Sequence, residues 1–134
     1  MTRLSNWQSL LTAYIGQVGA MPFEEGTNDC ALFLAGGVMA MTGQDFAAEY
    51  RGSYTTIRGG LRMLRKRGFE DHIALAKHHL AEKPIAFAQA GDGAVIDTPE
   101  GAALGIVQGH LVYVLREDGL AYLPLTQARM ALEV

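Results

Sequence analysis

A chain of 134 residues, 49% apolar and with a formal charge of -3, has enough hydrophobic material for one compact domain and lacks the strong positive charge that draws a protein to nucleic acid or anionic lipid. Its single cysteine excludes an internal disulfide, and its longest apolar run, Cys30 to Met41, fits a buried helix but is too short to cross a bilayer. Met1-Thr2-Arg3-Leu4-Ser5-Asn6-Trp7 has no apolar signal core, so synthesis in a reducing cytoplasm is expected.

Leu4, Trp7, Leu10, Leu11, Tyr14 and Ile15 recur at three- and four-residue steps and predict an amphipathic helix starting near Ser5 or Asn6. Gly16 to Gly26 has a loop composition and leads to Asn28-Asp29, either of which can cap a helix by accepting backbone N–H bonds. Cys30 is therefore expected in the first turn of a helix that is apolar on every side, with Gly36-Gly37 marking a close approach and Thr42-Gly43 its end. Asp45 to Tyr50 reads as a short helical piece. Thr56 to Arg67 reads as an exposed helix with Leu61 and Leu64 inward, and Gly68 stops it. Asp71 to Leu80 suits a further helix, with a loop and strand over Ile73 to Phe87 as the alternative.

From Gly91 the apolar period shortens. Ala94-Val95-Ile96, Ala103 to Val107, Leu111 to Leu115 and Leu120 to Leu123 are short runs between turn residues, the pattern of an antiparallel meander. Helices first and strands second give an α+β domain spanning residues 1–134, with the Cys30 helix packed on the sheet.

A thiol at a helix N-terminus is drawn toward the thiolate by unpaired N–H groups, whereas Asp29, Glu24 and Glu25 push it the other way. Cys30 is thus either a nucleophile or a small core residue. Of the four histidines, His110 opens a strand, while His72, His78 and His79 fall in the middle segment and complete no metal set. Arg58, Arg62, Arg65, Lys66 and Arg67 form a basic helix face, solvated or docked to an acidic partner, without the aromatics that nucleic-acid binding would add. No cofactor motif is present.

Asn28-Asp29-Cys30-Ala31-Leu32-Phe33 resembles the Asp-Cys segment of the NlpC/P60 family of papain-like cell-wall peptidases. Gly91-Asp92-Gly93-Ala94-Val95-Ile96 is similar to that family's Gly-Asp strand, and Ala103-Leu104-Gly105-Ile106-Val107-Gln108-Gly109 to its His-Val-Gly-Ile-Tyr-x-Gly strand. Pro22-Phe23, Thr42-Gly43-Gln44-Asp45, Tyr50-Arg51-Gly52-Ser53-Tyr54 and Gly119-Leu120 to Pro124-Leu125 extend the likeness to small proteins encoded among phage tail genes. The resemblance implies a papain-like fold with Cys30 as the vestigial or working nucleophile and Ala103 where the histidine would stand. On the next strand Tyr113 is the one polar residue available to orient a base, which leaves His110 as the substitute base. It further implies a virion protein of the phage tail, at the tail tip or in assembly, made in the host cytoplasm and bound to other tail proteins rather than to nucleic acid. The alternative is a peptidoglycan-degrading cysteine peptidase or amidase.

Overall fold

The computed structural model describes residues 2–134. Four helices, α1 (Trp7–Ala20), α2 (Cys30–Thr42), α3 (Ile57–Lys66) and α4 (His72–His79), precede an antiparallel sheet of six strands. The strands are β1 (Glu82–Lys83), β2 (Gly93–Thr98), β3 (Gly101–Gln108), β4 (Leu111–Arg116), β5 (Gly119–Pro124) and β6 (Ala128–Leu132), in the order β1-β6-β2-β3-β4-β5. The chain is therefore an α+β domain. The meander expected from the four apolar runs is β2 to β5. β6, which shows no clean alternation of β-branched residues, inserts between β1 and β2.

α2 is the centre of the fold. Leu32 to Val38 and Met41 are all buried, because a helix apolar on every side must be covered on every side. On its sheet side Phe33, Leu34, Val38 and Met41 pack with Val95, Leu104, Ile106, Leu115 and Leu132, and α1 adds Leu11 and Val18. Truncating Phe33 to alanine would cost about 3–5 kcal/mol. The two glycines are close approaches: a Cβ on Gly36 would lie 2.2 Å from the Tyr14 hydroxyl, and one on Gly37 2.6 Å from Ile106 Cδ1. The Tyr14 hydroxyl donates to Phe33 O at 2.8 Å, so it has no room to yield at Gly36. Gly43, in the left-handed region at φ 81°, ends the helix as expected.

The sheet is covered on both faces. Ala94, Ile96, Val107, Val112 and Val114 alternate to the side away from α2, where Leu123, Leu125 and Ala128 pack on them.

Two local expectations change. α1 continues past Gly16 to Ala20 instead of yielding to a loop, because Val18 extends the buried stripe of Leu11 and Ile15 by one turn. Asp45 to Tyr50 forms consecutive turns and no helix. Asp45 Oδ1 accepts from Ala47 N at 3.0 Å and its carboxylate pairs with Arg51 at 2.6 Å, local bonds that compete with a helix too short to nucleate. The stretch after Gly68 settles as α4, capped by Asp71 accepting from Ala74 N at 2.8 Å.

Candidate functional site

The loop from Met21 to Asp29 aims α2. Buried Asn28 donates its Nδ2 to Pro22 O at 3.1 Å, while its backbone exchanges bonds with Glu24. Asp29, 1% exposed, then caps α2: Oδ1 accepts from Leu32 N at 2.9 Å, and Oδ2 from Gly26 N at 2.8 Å and from the Tyr54 hydroxyl at 2.5 Å. Glu25 also hydrogen-bonds this carboxylate, and among the described residues no lysine or arginine pairs with it. The Tyr54 hydroxyl, half-buried against it, is pushed far up from its ordinary range.

Cys30 follows as the first residue of α2. Burial, then the charges of Asp29 and Glu25, push its thiol up to about 11, against the pull of the N–H groups of Cys30 and Ala31. The balance between helix N-terminus and carboxylates thus falls to the carboxylates. Glu24 takes no part in it and accepts the Thr27 hydroxyl at 2.7 Å instead. Among the described residues no side chain hydrogen-bonds the Cys30 sulfur.

Cys30 opens onto a cleft of about 640 Å³. Ala31, Leu61, Leu64 and Leu75 form its helical wall, and the ends of β3 and β4 the opposite one. The β3–β4 ladder covers only Ile106↔Tyr113, Val107↔Val112 and Gln108↔Leu111, so Gly101 to Ala103 and Val114 to Arg116 reach the cleft beyond the last pair.

Both Ala102 and Ala103 line the cleft, but they stand on different faces of β3. Ala102 packs with the α2-side cluster, in step with Leu104 and Ile106, whereas Ala103 packs on the far face with Ile96 and Val107. The strand position that faces α2 is therefore Ala102, one residue before the expected one, and neither residue carries an imidazole. Tyr113 does not orient anything here: it lies outside the cleft lining, its ring edge-on to Tyr122 at 4.7 Å.

His110 is not brought to Cys30. It is exposed in the two-residue turn between β3 and β4, at the opposite end of the sheet from the β2–β3 and β4–β5 turns that edge the cleft. Seven residues of extended chain separate it from Ala103, a span on the order of 23 Å. A register shift cannot bridge that distance, because both strands are fixed by their ladders.

His72 enters the cleft instead. It begins α4 beside its cap Asp71 and lines the same cavity as Cys30, with Nε2 shut off from solvent and without a hydrogen-bond partner. Burial lowers its pKa from 6.5 despite the charges of Asp71 and Asp29, so the ring is neutral at neutral pH. Nothing in its sequence neighbourhood sets it apart from His78 and His79, which are exposed, His78 edge-on to Phe69 and His79 stacked on Phe46.

Among the described residues no group of three or more histidine, cysteine or acidic side chains could hold a metal ion, and no helix is long and apolar enough to cross a membrane. Arg58, Arg62 and Arg65 project from α3 beyond the cleft, flanking Ile57 and Leu61 in a shallow groove.

Over residues 2–134 the chain matches a domain of unknown function (DUF6950), and it belongs to that family. No curated protein and no solved structure matches it.

Proposed function

We propose that this family member is a non-catalytic, protein-binding component of a bacteriophage tail, at the tail tip or in its assembly, built on a papain-like NlpC/P60 scaffold that has lost its base. One observation carries the non-catalytic reading: a thiol raised to about 11 shares its cleft with a strand whose lining residues there are Gly101, Ala102 and Ala103. At pH 7 that thiol is ionised in about one molecule in ten thousand. Acyl transfer through cysteine also needs an imidazole to take the thiol proton and return it to the leaving group, and none hydrogen-bonds Cys30. The papain-like reading is supported by the Asp-Cys helix start against an antiparallel sheet, and the tail assignment by the sequence resemblance. The protein is expected in purified virions by mass spectrometry, to copurify with other tail proteins, and to leave peptidoglycan intact. Release of muropeptides by the wild type, abolished in Cys30→Ala, would overturn it.

A second reading, a peptidoglycan cysteine peptidase or amidase with Cys30 as nucleophile, is favoured by His72, whose unpartnered Nε2 shares the cleft. It predicts rapid iodoacetamide labelling of Cys30 near neutral pH that slows in His72→Gln. Labelling at the rate of an unactivated thiol, unchanged in the variant, sinks it.

A further inference from the structure

We infer that the Cys30 cleft recognises an extended segment of a partner protein that presents a bulky apolar side chain beside a lysine or arginine. The inference names the partner chemistry of the surface proposed above and rests on that reading. At about 640 Å³ the cleft has room for several side chains, and its floor of Ala31, Leu61, Leu64 and Leu75 is apolar. Ile57 stands 62% exposed on its rim, an apolar surface of the kind that partners cover.

Charge selects the occupant. Glu117 and Asp118 line the cleft from the β4–β5 turn and Glu25 from the loop before α2, while Glu100 is paired at 2.5 Å with Arg116, the one lysine or arginine among the lining residues, which leaves an acidic excess. Burial first, then the charge of Asp29 and a hydrogen bond to it, and last the charge of Glu117 disfavour Glu25 as a carboxylate. An arriving ammonium or guanidinium relieves that repulsion, whereas an acidic segment adds to it. The arginines of α3 lie on the other flank of Ile57 and Leu61, so they repel a basic group from that side and direct it toward the β4–β5 turn.

Backbone geometry selects an extended segment over a helix. Beyond Ile106↔Tyr113 the facing edges of β3 and β4 have no ladder to each other, and both border the cleft. Such edges pair with an added strand.

The test uses the full chain, isotopically labelled, titrated with a synthetic acetyl-Ser-Val-Lys-Leu-Val-Ser-amide and followed by NMR. Shifts are expected at Ala31, Leu61 and Gly101 to Ala103, with a control peptide carrying Glu for Lys binding at least about tenfold more weakly. The double variant Glu100→Lys/Glu117→Lys, at two exposed turn positions, should lose a similar factor while keeping its spectrum folded. No shift at millimolar peptide, equal binding of both peptides, or shifts confined outside the cleft would overturn the inference, as would self-association through the cleft without peptide. Cleavage of the bound peptide by the wild type alone would refute the non-catalytic reading while leaving the recognition intact.

Discussion

The chain buries two aspartates to the same degree, 1% exposed, at opposite ends of its sheet, and surrounds them in opposite ways. Asp92, just before β2, faces two cations: Arg3 at 3.2 Å and Lys83 at 2.6 Å. It also accepts from Gln89 N at 2.8 Å and Val134 N at 3.2 Å, while Arg3 reaches on to Val134 O and Ala90 O. That carboxylate is a latch joining the two ends of the chain to the sheet. Asp29 has donors but no cation, and its negative charge spills onto Cys30 and Glu25. A charge neutralised in place holds structure together, whereas one left unneutralised beside a cavity sets the electrostatics of whatever enters it.

Breaking the latch should have the largest effect. Asp92→Ala leaves two cations and two N–H groups without their acceptor and is expected to cost about 3–5 kcal/mol in urea unfolding. The contrast fails if Asp29→Ala costs as much. That change removes a helix cap and the acceptor of Tyr54 and Gly26, for an expected loss of about 2–3 kcal/mol. Asp29→Asn is the sharper probe, because it retains an acceptor but removes the charge. The thiol of Cys30 should then titrate below about 11, read from the pH dependence of its alkylation, and an unmoved profile would show that Asp29 is not what holds it up.

The same contrast appears in stability against pH. Cys30 holds its proton more tightly folded than at its ordinary 9.0, so the stability this contributes, about 3 kcal/mol, is complete below pH 9 and lost as pH rises through about 11. Cys30→Ala should flatten that alkaline limb. His72 works in the other direction with a smaller effect. The unfolded chain takes up a proton near pH 6.5 that the folded ring resists, so stability falls as pH drops below 6.5, and His72→Gln should remove that part of the slope. An acid limb identical in the variant would place its origin elsewhere.

Most of the architecture was legible because its signals are local. The apolar run from Cys30 to Met41 required burial, Asn28-Asp29 and Thr42-Gly43 marked its ends, with only the structure choosing Asp29 as the cap, and the four short runs after Gly91 became four consecutive strands. The close approach at Gly36-Gly37 was legible for the same reason, since two glycines in a buried helix have few other uses. β6 was not, because Ala128-Arg129-Met130-Ala131-Leu132 takes its strand character from pairing with β2. The site was half legible. Proximity in sequence placed three carboxylates near Cys30, but only the fold determined that Asp29 and Glu25 act on it and Glu24 does not.

By itself, then, the sequence determined an α+β domain, a cap on α2 from Asn28-Asp29 and the place of Cys30 at its start, all set by bonds and burial within a few residues. Tertiary structure decided which histidine shares the cleft, His72 and not His110, and that Ala102 faces α2. Those outcomes depend on strand length, register and the docking of α4, which bring together residues more than forty positions apart in the chain.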